Sequence, residues 1–487
     1  MTDTAQIVEK YINHTNCHVF LTGKAGTGKT TLLKKIIETT HKNAIVTAPT
    51  GIAALNAGGV TLHSQFSLPF GAFLPEDRSF FPSENVKIET ASTLIRQLKI
   101  SDIKRKIIRQ AELIIIDEVS MLRADLLDAI DLVLRVVRRT RKPFGGAQML
   151  FIGDLFQLPP VVKDEEWEVL KNFYKSPFFF DAKVFQDALP VHIELETIYR
   201  QSDEKFTNLL NNIRFNSVTD DDVNLLNRYY QPDAMPGSED GYIILTTHNH
   251  IADRVNQREL SKLETSERTY VADVHGEFPE QFYPNERSLT LKTGAQVMFL
   301  KNDISGNKQY YNGKIGKVHR LYENSITIKC EDGSYVEAER YEWKNVRFEL
   351  NPDTNEIEEK VLGFFTQFPL KLAWAITIHK SQGLTFEKAI IDVKNVFAAG
   401  QSYVALSRLK SLSGLVLSAP FSKEGVENNQ NILDFDSGKK SKHEIEHNLN
   451  NESARFLHAF ILDSYDFSNL VKSWEEHVNS YSKNKQN

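Results

Sequence analysis

The sequence predicts an α/β protein of two units, each a parallel sheet with helices on both faces. Three observations carry that prediction. Short, β-branched apolar runs end in Gly, Asp, Glu, Thr or Pro: "HVFLTG", "AIVTAP", "ELIIIDE" and "QMLFIGD" early, then "YIILTTHN", "AIIDV" and "GLVLSA" much later. Uninterrupted apolar strands suit sheets buried on both faces. Amphipathic stretches lie between them; in "MLRADLLDAIDLVLRVVRR", Leu122, Leu126, Ile130, Leu134 and Val137 recur near helical spacing, with arginines gathered at the end. The chain's 487 residues also exceed the length of one ordinary domain.

Taken in order, the first four strands build a first unit over residues 1–62 and 101–190. It is interrupted at 63–100, where "FSLPFGAFLPEDRSFFPSE" is rich in Phe and Pro and reads as a small insertion. The last three strands build a second unit over 191–300 and 366–425. Between its halves, 301–365 alternates and turns at short spacing, as a small antiparallel barrel would. Residues 426–487 read as a polar linker followed by helix.

Composition narrows the class. Hydrophobic residues make up 41 % and charged residues 25 %, ordinary values for a globular chain. No apolar run reaches the roughly 18 residues a bilayer requires, so no membrane partner is expected. The start "MTDTAQIVEK" resembles neither a secretory signal nor a transit peptide. Two cysteines, Cys17 and Cys330, make neither a disulfide framework nor a zinc site, which suits a reducing, cytoplasmic setting. Lys and Arg total 58 against 64 Asp and Glu, a net charge of −6. Nucleic acid stays open as a partner, because binding depends on a local basic groove.

The chemistry begins at "GKAGTGKT". Gly23, Gly26 and Gly28 let the backbone turn its N–H groups toward phosphate oxygens, and the following helix presents its positive end to the same anion. Lys29 would neutralise the β- and γ-phosphates of ATP, and the Thr30 hydroxyl would hold Mg²⁺, with Thr31 beside it. In "LIIIDE", Asp117 ends a buried strand within reach of Mg²⁺, and Glu118 can orient or deprotonate the attacking water. A hydrolytic base points to an ATPase rather than a small-molecule kinase. Gln157 in "FIGDLFQLPPV" follows a fourth strand; if that strand is next in a RecA-like order its amide could sense the γ-phosphate, whereas a glutamine in a loop is uninformative by itself. Arg200 in "ETIYRQ" and Arg408 in "YVALSRL" are either surface arginines or suppliers of transition-state charge from the second unit.

"GKAGTGKT", "TAPTGIAALNAGGVTLHSQF", "IIIDEVSML", "FIGDLFQLPPV", "LETIYRQ", "AITIHKSQGLTF" and "YVALSRLKSLSGL" occur in the order of the superfamily 1 helicase motifs. They resemble most the Pif (petite integration frequency) family of the 5′→3′ branch, relatives of the RecD-like helicases. "RADLLDAIDLVLRVVRRTRKPFGGAQ" is similar to that family's own signature, and the resemblance covers about residues 6 to 420.

The resemblance implies two RecA-like P-loop cores with ATP between them and single-stranded DNA across their tops. It implies a wedge in the first core and a Src-homology-like barrel in the second. Lys29, Thr30, Asp117, Glu118, Gln157, Arg200 and Arg408 fall on the family's ATPase positions; Gln6 matches its adenine-reading glutamine, and Gly383 would sit near the phosphates. Pro49, Thr50, His63, Thr377, His379, Lys380 and Ser381 would lie along the DNA. Hydroxyls, amides and a lysine can hold phosphates without reading bases, and flat rings stack on any base. Phe70, Phe73, Phe80 and Phe81 either meet a duplex junction or form the insertion's own core. Tyr310, Tyr311 and Lys314 in "QYYNGKIGKV" either touch DNA or begin a strand.

These features imply an ATP-dependent 5′→3′ DNA helicase acting on single strands and strand–duplex junctions. G-quadruplexes and RNA–DNA hybrids are further candidate substrates. A monomer is expected, with a dimer on DNA as a second state. The 22 residues before Gly23 suit a compact bacterial or phage-like core. Two alternatives stand beside this reading: a motor that accepts RNA as well as DNA, and a nucleotide-gated DNA-binding switch that does not translocate.

Overall fold

The computed structural model describes residues 3–484 apart from 69, 78–86, 202, 233–240, 304–308, 352, 355, 393–399 and 424–428. The first unit contains β1 (Val19–Gly23), β2 (Ala44–Ala48), β3 (Val60–Thr61), β4 (Ala72–Leu74), β5 (Ile88–Thr90), β6 (Leu113–Ile116), β7 (Gln148–Ile152) and β8 (Val191–Leu195). Six of these form one parallel sheet in the order β3-β2-β6-β7-β1-β8. Its central strands are fully buried, as their unbroken apolar runs require.

One boundary moves. Val191–Leu195 was expected to open the second unit, yet β8 pairs with β1 from Val19↔Val191 to Gly23↔Leu195 and closes the first sheet. Its pattern "VHIEL" alternates because one face of this edge strand is polar, with His192 stacked on Phe435 and Glu194 accepting from Lys439 (2.6 Å), so it lacks the apolar run that marked its neighbours.

The second unit is a smaller parallel sheet, β20-β9-β21-β22, made of β9 (Ile243–Thr246), β20 (Ala375–Thr377), β21 (Ala389–Ile391) and β22 (Leu415–Leu417). Among the described residues, ten antiparallel strands run between β9 and β20. They are β10 (Glu267–Val271), β11 (Asp273–Gly276), β12 (Ser288–Lys292), β13 (Gln296–Phe299), β14 (Ile315–Leu321), β15 (Ser325–Cys330), β16 (Tyr335–Glu339), β17 (Tyr341–Leu350), β18 (Ile357–Gln367) and β19 (Leu370–Leu372). This stretch is wider than the expected 301–365. The order β16-β15-β14-β13-β19 draws partners from both sides of that range, around a separate core of Leu289, Val297, Phe299, Ile326 and Trp374.

The predicted amphipathic helix is Ala124–Arg138, with Ile130, Leu134 and Val137 in the core. Its aspartates are buried too, because each caps a loop. Asp125 accepts from Phe73 N–H (2.9 Å) and pairs with Arg123 (2.6 Å). Asp128 accepts from the Tyr174 hydroxyl (2.9 Å) and the amides of Lys183 and Val184 (both 3.0 Å). Asp131 accepts from Phe144 N–H (2.5 Å). Buried charge is tolerated where such donors surround it.

The polar linker expected at the start of the tail is short. Helices run over Gln430–Ser437, Lys442–Ser464 and Ser468–Asn484. Ser441 and Glu444 cap the second of these reciprocally: Ser441 N–H donates to Glu444 (2.8 Å) and Glu444 N–H to Ser441 Oγ (3.3 Å). The Tyr11 hydroxyl donates to Ile445 O (2.7 Å), which latches this helix onto the helix Asp3–His14. Among the described residues, no helix is long and apolar enough to cross a membrane.

Candidate functional site

β1 ends at Gly23, and the helix Lys29–Thr39 starts with Gly28 as its N-cap. Gly28 offers no capping side chain, so the first-turn N–H groups remain available to an anion. Gly26 has φ +83°, and a Cβ there would stand 2.4 Å from the Arg200 Cβ. Only glycine lets the loop and the Arg200 segment approach so closely; Tyr199 N–H seals the contact on Gly26 O at 2.9 Å.

A cavity of about 840 Å³ opens over this loop. Gly26, Gly28, Lys29, Thr30, Thr31, Glu118, Gln157, Arg200, Gly383 and Arg408 all line it. Residues nearly 400 positions apart in sequence are thus brought to one site. Lys29 Nζ curls onto the carbonyls of Gly23 (2.6 Å) and Lys24 (3.2 Å). Burial pushes its ammonium down, while Asp154 and Glu118 pull it back up.

Asp117 and Glu118 follow β6. Glu118 sits at φ +52°, a strained backbone for a side-chain-bearing residue, of the kind found at functional sites. Its N–H donates to Asp117 Oδ1 (2.9 Å), and its Oε2 accepts from Gln382 Nε2 (2.8 Å). Burial, with the Asp117 charge adding to it, pushes the Glu118 carboxyl up to about 7, the range of a general base. Burial also raises Asp117, with Lys29 opposing it. Two acids this short of positive charge suit a divalent cation. Among the described residues, no cluster of three or more His, Cys, Asp or Glu could hold a metal alone. A magnesium ion shared between one carboxylate, one hydroxyl and phosphates needs no such cluster.

Arg200 and Arg408 are cavity residues rather than surface arginines. Arg408 is 1 % exposed, with Nε on Val404 O (3.0 Å) and Nη2 on Ser407 Oγ (3.1 Å). Arg200 Nη1 donates to Ser407 O (3.2 Å). Burial, with Arg408 adding to it, pushes the Arg200 guanidinium down to about 9, and burial lowers Arg408 as well. Two cations that repel each other in a desolvated wall are stabilised by an anion between them.

Other predicted residues are placed less centrally. Gln6 is exposed on the helix Asp3–His14, and its neighbour Ala5 lines the cavity. Tyr311 lines the nucleotide cavity too, with Lys410 over its ring, while Tyr310 stacks on Phe299 at 4.2 Å inside the β-core. Lys314 precedes β14 and pairs with Asp332 at 3.1 Å.

On the expected DNA track, Thr50 caps the helix Gly51–Ala57 by accepting from Ala53 N–H, and Pro49 precedes it. Thr377 and Ser381 are buried: Thr377 Oγ1 accepts from Lys380 N–H (3.3 Å), and Ser381 Oγ donates to Ile378 O (2.7 Å). They shape the turn that exposes His379 and Lys380. Lys380 shares a cavity of about 500 Å³ with Lys301 and Lys371, two cations the sequence did not single out. His63 stacks on Phe70 at 5.1 Å and 12°. Phe70 is 78 % exposed and Phe73 only 3 %, so the insertion's phenylalanines divide between surface and core. Phe80 and Phe81 lie outside the described residues.

Sequence reasoning missed Gln382, Asp154, Arg214 and Tyr403. The last three meet behind the cavity wall, and only an adjacent "GD" and a "YVALS" hinted at any of them.

Residues 3–224 match the family described as PIF1-like helicase. The chain is 33 % identical over 420 residues to the ATP-dependent DNA helicase Pif1 of Campylobacter jejuni, covering 82 % of this chain and 88 % of that one. It is 32 % identical to the zebrafish (Danio rerio) ATP-dependent DNA helicase PIF1, over 86 % of this chain but only 61 % of the relative. It therefore spans about three fifths of that relative's length. Pif1 from Bacteroides sp in complex with ADP-AlF4 superimposes with a TM-score of 0.81 at 44 % identity, covering 90 % of this chain and 96 % of that one. The same relative bound to single-stranded DNA gives 0.61 at the same identity and coverage.

Proposed function

Because this chain belongs to the PIF1-like helicase family, we propose that it is an ATP-dependent 5′→3′ DNA helicase that moves along single-stranded DNA and opens the duplex ahead. One observation carries the reading: Lys29 and Glu118 from the first unit share a cavity with Arg408, which follows the helix Gln401–Leu406 of the second. ATP bound there closes the cleft, because its γ-phosphate brings one anion to Lys29, Arg200 and Arg408 together. Glu118 takes a proton from the attacking water, and the departing phosphate releases the arginines and reopens the cleft.

Thr30 and Asp117 would hold Mg²⁺, which supplies charge neutralisation to the β- and γ-phosphates. Lys380, with Lys301 and Lys371 nearby, would hold the strand's phosphates, and the exposed Phe70, backed by the half-buried His63, would give a base a flat platform. The Bacteroides relative bound to single-stranded DNA, and a Pif1 structure described as two coordinating helicases at forked double-stranded DNA, support a strand partner and a pair of molecules on it. Its lower TM-score when strand-bound fits units that shift when DNA enters.

ATP turnover with and without single-stranded DNA, beside unwinding of 5′- and 3′-tailed duplexes, tests the proposal. Strong stimulation and opening of the 5′-tailed duplex alone are expected. Turnover indifferent to every nucleic acid would discard it in favour of the switch. Forked, four-stranded and RNA–DNA substrates in the same assay rank what the motor opens.

A further inference from the structure

Behind the nucleotide cavity lies a buried polar cluster with no part yet in the mechanism above. Arg214 is 1 % exposed and closes the helix Glu204–Arg214. Its Nη1 donates to Asp154 Oδ2 (3.0 Å) and to the Tyr403 hydroxyl (3.3 Å), and its guanidinium lies over the Phe156 ring at 4.5 Å. The Tyr403 hydroxyl accepts from Ala25 N–H of the phosphate loop (3.3 Å) and donates to Asp154 Oδ2 (3.5 Å). That same oxygen accepts from Gln157 Nε2 at 3.0 Å.

We propose that Asp154, Arg214 and Tyr403 form a relay that sets the orientation of Gln157 according to the position of the phosphate loop and the second unit. The proposal rests on the hydrolytic reading of this cavity. A carboxylate can only accept, so Asp154 takes one N–H of the Gln157 amide and leaves the second N–H and the carbonyl oxygen for the cavity. The carbonyl oxygen suits the attacking water, and the remaining N–H suits a phosphate oxygen. Held this way, Gln157 aligns the nucleophile for Glu118 against the γ-phosphate. The relay reaches into both units: Ala25 follows β1, and Tyr403 lies on the helix that leads to Arg408. Tyr403 moves with that helix, so cleft closure shifts the hydroxyl on Asp154 and with it Gln157. These are positioning residues, acting through Gln157.

Removing Arg214 or Asp154 would strand a buried charge and unfold the region, so neither is the informative variant. Tyr403→Phe keeps the ring and the ion pair and deletes only the hydroxyl. In steady-state ATP hydrolysis with saturating single-stranded DNA, we expect kcat to fall roughly tenfold while KM for ATP stays within about twofold. Melting temperature should fall by only a few degrees, because the Ala25 N–H loses its acceptor while the Arg214–Asp154 pair stays. The deciding comparison is with Gln157→Ala and the double variant. If Tyr403 acts through Gln157, the double variant matches Gln157→Ala alone. Losses that multiply, or a Tyr403→Phe protein with wild-type kcat, would overturn the relay. A wild-type protein that hydrolyses no ATP would instead remove the helicase reading, and the relay's task with it.

Discussion

Replacing Glu118 with glutamine should produce a protein that is catalytically dead yet more stable above neutral pH. Glutamine keeps the shape and can still meet Gln382, but it cannot take a proton; loss of a positioned base costs about 10²- to 10⁴-fold in kcat. The stability gain follows from the same burial. The carboxyl rises from its ordinary 4.5 to about 7, so the fold prefers the protonated form. Below about pH 4.5 both folded and unfolded chains hold the proton and no penalty exists. Between 4.5 and 7 the unfolded chain ionises first, and stability drains away as pH rises. Above 7 the penalty is constant. At 1.36 kcal/mol per pH unit the full shift converts to about 3 kcal/mol. The carboxylate opens on the cavity and retains some solvent, which brings the expected gain to about 1–2 kcal/mol. Urea unfolding of both proteins at pH 8 and pH 5, with ATP hydrolysis from pH 5.5 to 9, measures each part. Glu118→Gln should win at pH 8 and lose most of that advantage at pH 5, and wild-type kcat should fall about tenfold per unit below pH 7. A variant that is less stable at pH 8 than wild type, or that turns over normally, would refute the reasoning.

Lys29→Ala should abolish ATP hydrolysis and leave single-stranded DNA affinity within about twofold, since the lysine faces phosphate rather than the track; fluorescence anisotropy alongside turnover would expose a shared role if both failed. Lys380→Ala should weaken DNA binding and reduce the slope of log K against log salt by about one. An unchanged slope would take Lys380 off the track. Asp128→Ala orphans the Tyr174 hydroxyl and two amides at once, and should cost about 3 kcal/mol in a urea melt without altering KM for ATP. A cost well below 1 kcal/mol would mean that water replaces the carboxylate there.

What the sequence made legible was local. The phosphate loop could be read because its glycines, Lys29 and Thr30 are contiguous, and the acid pair because Asp117 closes an unbroken apolar strand. Residues whose meaning depends on distant partners were silent. Arg214 looks like any helix-terminal arginine until Asp154 and Tyr403, 60 and 189 residues away, are seen against it. Asp125, Asp128 and Asp131 read as the wet face of an amphipathic helix, because nothing in the helical period shows that loops will cover them. β8 escaped because an edge strand alternates. The cap at Ser441 and Glu444 was readable as S-x-x-E, and the surrounding lysines disguised it as linker.

The hydrogen bond from the Tyr11 hydroxyl to Ile445 O, with Asn448 Oδ1 beside it at 2.9 Å, has a mechanical meaning. The helix Lys442–Ser464 carries an outward row of Leu457, Phe460 and Ile461 beyond the latch. A load applied to that outer row passes through Tyr11 into the helix Asp3–His14, whose Ala5 is part of the nucleotide cavity's wall. The tail and the pocket wall therefore share one helix, and a displacement of the tail at the latch bears on the helix that carries Ala5.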